Sequence, residues 1–292
     1  MGKIHTLTNE KYKNLLYGHE KGYINESLLK ARKQSPEQLK EYILLNEYYL
    51  EHNIKPIENP HRLTGMNFLS ILLDDYIPII LLILCILFSL DIFQSEFDEG
   101  SYKLSFTQPY SRKELFLYRV MSSWILQSGI VFISILLLFI LQGMMHGFGD
   151  TDTPRILYSN NGVLPISKTG DIVIGSSLQY ILLGYFLLYV VMFMLSLFTI
   201  FVTFVLNSST SAIGLITGIF ILSLIIITFI DKNNIFHLIN PLTYMNISKV
   251  LNNRIQSWYV FGVFINIGLG LLFLRGSYQK FTAMDMLGGI DV

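Results

Sequence analysis

The residues best placed to do chemistry lie in one polar segment, residues 95–115, between two apolar stretches. Acidic side chains come first, then a glycine and an apolar–polar stretch, and Pro109 precedes the sequence Ser111-Arg112-Lys113-Glu114. That sequence is a capping box, whose serine and glutamate bond the free backbone N–H groups of a helix start. Because proline disfavours helix at the residue before it, the order predicts helix, short surface element, tight turn and helix. The same residues also fit an ordinary interfacial loop with good caps.

No catalytic pattern accompanies this segment. The chain contains no Gly-x-x-x-x-Gly-Lys-Ser/Thr phosphate loop, no His-Glu-x-x-His and no Gly-x-Ser-x-Gly. Its six histidines have no metal-ligand spacing, and Cys85, the single cysteine, lies in an apolar stretch. We therefore expect a protein that is not an enzyme and that binds no metal or cofactor itself.

The composition is that of a membrane protein. Of the 292 residues, 52% are hydrophobic and 14% are charged, whereas a soluble domain is usually about 25% charged. The 21 basic and 21 acidic residues cancel, so no net field favours nucleic acid. The sequence predicts an all-α integral membrane protein with five transmembrane helices, since a span needs about 20 apolar residues. The five stretches are Ile77–Phe93, Val120–Leu141, Ile181–Val205, Ala212–Ile230 and Tyr259–Leu274.

The polar segment 1–66 has no secretory signal. Ser35-Pro36-Glu37-Gln38 is a capping box that predicts a helix from Pro36 to about His52. The chain thus divides into a helical N-terminal segment over 1–66, a transmembrane domain over 67–275 and a tail over 276–292.

The orientation follows from basic residues close to the spans. The loop 94–119 is richer in lysine and arginine than the longer loop 146–177, which favours loop 94–119 in the cytoplasm. The segment 1–66 is then extracytoplasmic and the tail cytoplasmic. Counting every basic residue of segment 1–66 would favour the reverse, but charges far from a span have little weight.

A few polar and small residues lie within the predicted spans. Gln127 and Asn266 are candidate functional groups, although intramembrane amides more often make one interhelical hydrogen bond than line a substrate path. Gly214 and Gly218 share one face of a span and allow another helix to approach closely. We expect that helix to belong to the same chain, with a dimer interface as the alternative.

The polar segment resembles one motif of a known family, the type-two permeases of ATP-binding-cassette exporters. The resemblance is carried by Glu96, Glu99-Gly100-Ser101, Leu104, Pro109, Ser111-Arg112 and a basic residue at 119. In that family an acidic-acidic-Gly-Thr stretch follows a span, and a Pro-x-Ser-Arg turn leads into the next span, often ending in lysine. Here Ser101 replaces the threonine and Arg119 the lysine. The similar layout covers residues 60–275, including Asn240-Pro241-Leu242-Thr243-Tyr244.

The resemblance implies that this segment, here called the elbow (residues 96–112), faces the cytoplasm and contacts an ATPase subunit. Glu96 and Glu99 would then serve polar docking, Gly100 beside Ser101 the close approach, and Pro109–Arg112 the turn. ATP and Mg²⁺ would be bound by the partner ATPase. Family members have six spans, often with an outside domain after the first. We therefore expect a first span to be missing through a mis-assigned start codon, or else a true five-span variant.

The sequence leads to two hypotheses of different classes. The first is the permease subunit of a bacterial plasma-membrane exporter, working with a cassette ATPase and a second permease subunit, identical or different, among membrane lipids. A peptide, a drug or a lipid would fit equally well as cargo. The alternative is a membrane sensor or scaffold that transports nothing and binds a partner through residues 1–66.

Overall fold

The computed structural model describes residues 10, 13, 36–52, 63–74, 77–98, 110–158, 172–206, 209–231, 234–252 and 258–283. The side chains of residues 36–42, 91–98, 158, 172–173 and 209–210 lie outside this description. The helices are α1 (Pro36–Glu51), α2 (Gly65–Ile71), α3 (Ile77–Asp98), α4 (Arg112–His146), α5 (Ser177–Leu206), α6 (Ser209–Phe229), α7 (Phe236–Ile239), α8 (Ile247–Leu251) and α9 (Tyr259–Ala283). A 3₁₀ helix, Pro241–Met245, lies between α7 and α8, and two strands, β1 (Pro154–Tyr158) and β2 (Ile172–Ser176), precede α5.

Among the described residues, four helices are long and apolar enough to cross a membrane: α4, α5, the Ser211–Phe229 part of α6, and α9. A helix rises about 1.5 Å per residue and must cover about 30 Å of hydrocarbon. A shorter apolar helix, Ile77–Leu90, forms most of α3. The molecule therefore has the architecture of a helical multi-pass membrane protein. Each of the five predicted stretches overlaps one of these five helices.

One pair of strands departs from the all-α expectation. β1 and β2 pair antiparallel, with Ile156 opposite Ile174 and Pro154 opposite Ser176. Residues 147–170 are rich in Asp, Thr, Asn and Gly, a composition that predicts a solvated turn. The strands are only five residues each, and Leu157 is buried in the main core. A five-residue strand with one buried apolar side chain shows too little alternation of apolar and polar residues in its sequence to be distinguished from a loop.

Helix α5 lies at the centre of the bundle. Over an apolar stretch of 18 residues, 67% of the residues of α5 are buried, compared with 11% for α4, 22% for α6 and 22% for α9. It packs mainly against α9, α3 and α6. A helix that is apolar on every face is expected either inside a bundle or in a membrane. Helix α5 is both long and apolar enough to span a membrane and largely buried by its neighbours.

The described bundle has two ends. At one, here called the hairpin end, the main-chain N–H of Gly65 donates to the carbonyl of Gly147 (3.0 Å) and that of Met66 to Phe148 (2.9 Å). These bonds bring α2 to the C-terminus of α4, next to the strand pair. The other, the elbow end, contains the C-terminus of α3, the start of α4 and the C-terminus of α9. Within the described residues, the start of α2, the C-terminus of α4 and the strand pair thus lie at the same end of the bundle.

Candidate functional site

The described residues include the two ends of the elbow but not its middle. Glu96 lies in the last turn of α3, with its side chain outside the described set. Four other elbow residues that the sequence singles out lie outside the described residues: Glu99, Gly100, Ser101 and Pro109. Ser111 and Arg112 are described and form the start of α4.

The predicted capping box at the start of α4 is confirmed. The Glu114 main-chain N–H donates to Ser111 Oγ (3.3 Å), and the Ser111 N–H donates to Glu114 Oε2 (2.9 Å). The Ser111 hydroxyl also donates to the same carboxylate oxygen, at 2.7 Å. The reciprocal bonds satisfy donors that a helix start leaves free. Helix α4 therefore begins at Arg112, well before the apolar stretch that enters the membrane.

Arg112 connects this helix start to the last helix. Its Nη1 donates to the main-chain carbonyl of Thr282 at 2.8 Å. Thr282 is in the final turn of α9, where carbonyl groups have no partner within the helix and the helix dipole favours a cation. Its neighbour Lys113 is exposed. The sequence identifies Arg112 as a turn residue, and the structure adds a partner in α9.

An aromatic cluster lies next along α4. The Phe116 ring is 5.4 Å from that of Phe281, 5.7 Å from Tyr278 and 6.3 Å from Phe204, between centroids. Cζ of Arg119 lies 6.0 Å from the Phe281 centroid, within the range of a cation–π contact. Aromatic pairs at these separations stabilise beyond their buried area. The first two turns of α4 are therefore held to α5 and α9.

The two tryptophans have different surroundings. The Trp124 ring on α4 meets Phe193 of α5 edge-on, with centroids 5.8 Å apart and planes at 85°. Its buried indole N–H has no hydrogen-bond partner among the described residues. Trp258 precedes α9 and is 54% exposed.

Gln127 is the centre of a buried hydrogen-bonded cluster of four polar side chains. Its Nε2 donates to Ser89 Oγ of α3 (2.7 Å) and to Ser123 Oγ of α4 (3.0 Å). Its Oε1 accepts from Ser196 Oγ of α5 at 2.8 Å. All four residues are buried. The sequence marks Gln127 as a candidate for one interhelical bond; two of its three bonds in fact cross to different helices, so this residue joins α3, α4 and α5.

Asn266 forms no such connection among the described residues. Its Nδ2 donates to the Gly262 carbonyl one turn earlier in α9, at 2.8 Å. The side chain is fully buried, and no described residue hydrogen-bonds its Oδ1. Of the two amides selected from the sequence, only Gln127 therefore has an interhelical hydrogen bond here.

Gly214 and Gly218 do not face a helix in the described part of the chain. A Cβ built on either would meet no atom within 4 Å. Several glycines that are close to a neighbour lie elsewhere; for example, a Cβ on Gly262 would overlap the Tyr244 ring, and one on Gly184 would overlap Leu73. The expectation of packing within the chain therefore has no counterpart here, because a Gly-x-x-x-Gly pattern does not specify which way its face points.

At the hairpin end, Arg155 of β1 organises a second polar cluster. Its Nη2 donates to Ser70 Oγ (2.7 Å) and to Asn67 Oδ1 (3.2 Å), both on α2. Its Cζ lies 5.9 Å from the Tyr180 ring centroid, and the Tyr180 hydroxyl donates to Asp74 Oδ1 at 3.3 Å. The cluster joins the strand pair, α2 and the start of α5. In the sequence, Arg155 is one of two basic residues in the loop 146–177, and nothing near it indicates these contacts.

Helix α1 packs on the same strand pair. Burial raises the pKa of the Tyr49 hydroxyl above its ordinary value, and the positive charge of Arg155 opposes this rise. The Lys13 ammonium lies 2.6 Å from Glu47 Oε1 of α1. No group of three His, Cys, Asp or Glu side chains among the described residues could hold a metal ion. The hairpin end is thus a layer of polar and aromatic contacts.

Comparison with known proteins gives one match. Residues 41–287 match the family described as "Protein of unknown function (DUF2705)". The chain belongs to the DUF2705 family. No curated protein and no solved structure matches it.

The DUF2705 match begins inside α1 and ends after α9. It therefore contains the elbow, the Gln127 cluster and the Arg155 cluster. The contacts between α1, α2 and the strand pair lie within the matched region, apart from the first turn and a half of α1. The hairpin end is thus part of the DUF2705 region.

Proposed function

We propose that this protein is the membrane-spanning subunit of an ATP-driven exporter in the bacterial plasma membrane. In this proposal α3, α4, α5, α6 and α9 cross the bilayer. The elbow end faces the cytoplasm, and the hairpin end with the N-terminal segment faces outward. A separate cassette ATPase hydrolyses ATP, and two permease subunits, identical or different, form the path for a peptide, drug or lipid.

The observation that carries the proposal is the attachment of the second half of the elbow. A loop that transmits movement of an ATPase subunit must be rigid, and it must be attached to the helices that change position. Ser111 is bonded reciprocally to Glu114, and Arg112 is bonded to Thr282 of α9. An ordinary loop before a helix needs the Ser111–Glu114 cap, but it does not need a bond from Arg112 to another helix. Displacement of the elbow would therefore move the start of α4 and the end of α9 together.

The Gln127 cluster extends this connection into the bilayer. Gln127 lies 15 positions after Arg112 on α4, which is about 22 Å along a helix at 1.5 Å per residue. Its bonds to Ser89 and Ser196 attach α4 to α3 and to the central helix α5. Interhelical hydrogen bonds in membranes contribute modestly, about 0.6 kcal/mol on average. Such bonds can exchange during a conformational change while the helices remain packed.

The ATPase contact belongs to the first half of the elbow. Glu96 and Glu99 supply negative charge for a basic or N–H-rich surface of the ATPase, and Gly100 beside Ser101 permits close backbone approach. Pro109 sets the turn that leads to the capped helix. Chemistry on ATP and Mg²⁺ takes place in the partner, and the described residues move in response.

The test is purification of the tagged protein from its native membrane in mild detergent, with mass spectrometry of what accompanies it. We expect a stoichiometric cassette ATPase that is lost in E99K. The matched control is D150K, the same charge reversal at an exposed residue of the hairpin end, which should retain the ATPase. Both variants should be present in the membrane at the level of the unchanged protein.

Three results would contradict the proposal. A preparation without an ATPase, reproduced across detergents, would remove the exporter. Equal loss in E99K and D150K would mean that charge at any site disturbs the complex. Loss of E99K from the membrane would identify Glu99 as a folding determinant.

A second function is favoured by the integration of the N-terminal segment. Helices α1 and α2 pack on the strand pair and on the end of α4, which gives a sensor or scaffold a fixed platform for an external partner. That protein would need no ATPase. A partner captured through the hairpin end and unaffected by E99K would favour this function over export.

A further inference from the structure

A cavity of about 380 Å³ lies between α6 on one side and α5 and α9 on the other. The 3₁₀ helix and α7 close it towards the hairpin end. On α6 its lining runs from Ile216 to Ile226, about 15 Å along the helix at 1.5 Å per residue. That length is half of the roughly 30 Å hydrocarbon thickness of a bilayer, which is enough for a large part of one acyl chain.

The lining is apolar and carries no charged residue. Helix α5 contributes Met194 and Phe198, and α9 contributes Leu269 and Phe273. The volume falls within the 300–1,000 Å³ range of small-molecule sites. A charged or strongly polar ligand would lose hydration there without replacement. The chemistry of the walls therefore selects a hydrocarbon chain.

The cavity has one polar region, located at the hairpin end. Asn240 Nδ2 donates to Ser223 Oγ at 3.0 Å, and Asn240 Oδ1 accepts from the Leu242 N–H at 3.1 Å. Both side chains line the cavity. A carboxamide and a hydroxyl at one end of an apolar pocket correspond to the ester region that follows the acyl chain of a lipid.

The cavity reaches the outer surface of the bundle. Ile219 and Leu222 of α6 line it and are 41% and 59% exposed. In a membrane protein, the medium at those side chains is the hydrocarbon of the bilayer. The chemical species present there at the highest concentration is the phospholipid acyl chain, which can enter laterally without crossing water.

We propose that this cavity binds one acyl chain of a bilayer phospholipid, inserted from the leaflet at the hairpin end with its ester group at Asn240 and Ser223. The chain fills the space between α6 and α9, two helices that both pack on α5. This inference goes beyond the exporter proposal and does not depend on an ATPase.

The test uses the full-length protein in phosphatidylglycerol vesicles that contain a phosphatidylglycerol with a photoreactive diazirine on one acyl chain. After illumination, mass spectrometry locates the labelled residues. We expect labelling of the cavity lining on α6 and α9 in the unchanged protein. L269W, which fills the cavity from α9, should reduce that labelling several-fold, and so should I219W from α6.

The matched controls place the same tryptophan two positions further along each helix, on residues that do not line the cavity. These are L271W on α9 and I221W on α6, which replace side chains 53% and 50% exposed. Both should leave cavity labelling unchanged. Using two filling variants keeps the test decisive if one of them fails to give a monodisperse protein.

Two results would overturn the proposal. If the lining is labelled no more than the exposed residues of α6, and L269W and I219W change nothing, the contact is that of bulk lipid only. If photoreactive free palmitate labels the lining and the phospholipid does not, the occupant is a free fatty acid and the assignment to a bilayer lipid is wrong.

Discussion

The Arg112 guanidinium donates a 2.8 Å hydrogen bond to the Thr282 carbonyl, joining two residues that are 170 positions apart in sequence. One belongs to the first turn of α4 and the other to the last turn of α9. A cation at a helix C-terminus is stabilised both by the hydrogen bond and by the helix dipole. This contact joins α4 to α9 at the elbow end.

Replacing Arg112 should loosen the end of α9. In R112A the terminal carbonyl groups lose a charged donor, and hydrogen bonds to charged groups contribute about 1.5–3 kcal/mol. We expect amide hydrogen exchange over the last turn of α9 to increase at least about tenfold, the equivalent of about 1.4 kcal/mol. K113A, at the exposed neighbouring position, is the control, and similar exchange in the two variants would argue against the contact.

Replacing Gln127 should weaken the junction of α3, α4 and α5. In Q127L the buried hydroxyls of Ser89 and Ser196 lose their partner, while an apolar side chain of similar size fills the space. We expect a loss of about 1–2 kcal/mol in the free energy of unfolding in detergent, since buried groups left without partners cost about 1–3 kcal/mol.

A pair of adjacent serines provides the control for the Gln127 cluster. Ser123 is buried and accepts from Gln127, whereas Ser122 is exposed and donates to the Arg119 carbonyl within its helix. S123A should destabilise the protein, and S122A should not. Equal effects would show that the loss comes from helix propensity rather than from the cluster.

Gly262 and Gly214 should respond differently to the same added methyl group. A Cβ on Gly262 would overlap the Tyr244 ring, whereas one on Gly214 would meet nothing within 4 Å. Overpacking typically costs about 1–3 kcal/mol, so G262A should lower the free energy of unfolding by that amount. G214A should be neutral in detergent. If G214A instead disrupts an oligomer in vesicles, the α6 face meets a second chain.

Replacing Arg155 should detach the strand pair from α2. In R155Q the guanidinium that donates to Ser70 and Asn67 is replaced by a shorter, neutral amide, and the cation near the Tyr180 ring is lost. We expect faster cleavage by a protease added at the hairpin end, mapped to residues 147–176. D152N, an exposed change in the turn before β1, should be cleaved at the unchanged rate, and faster cleavage of both would indicate a general loosening.

Local patterns made part of this fold predictable. The capping box from Ser111 to Glu114 requires only four consecutive residues, and the bonds are present as expected. The apolar stretches also locate the long helices, because solvation by lipid depends on length and composition. Helix α4 nevertheless begins before the predicted stretch Val120–Leu141, because the segment Arg112–Arg119, which contains charged residues, continues the helix outside the apolar stretch.

Long-range contacts could not be predicted in this way. Nothing near Arg112 in the sequence indicates Thr282, and nothing near Gln127 indicates Ser89 or Ser196. The same limit explains the glycines, because Gly214 and Gly218 have the expected spacing but Gly262 has the close neighbour. Which residue is opposite another depends on how whole helices rotate and pack.

The edge-on pair of Trp124 and Phe193 gives the molecule a built-in optical reporter. Trp124 lies half-buried on α4 between the elbow and Gln127, and the second tryptophan, Trp258, is exposed before α9. With Trp258 replaced by phenylalanine, the emission spectrum would come from one indole at the boundary between α4 and α5. Any motion that separates these helices would then shift the fluorescence of the chain without an attached dye.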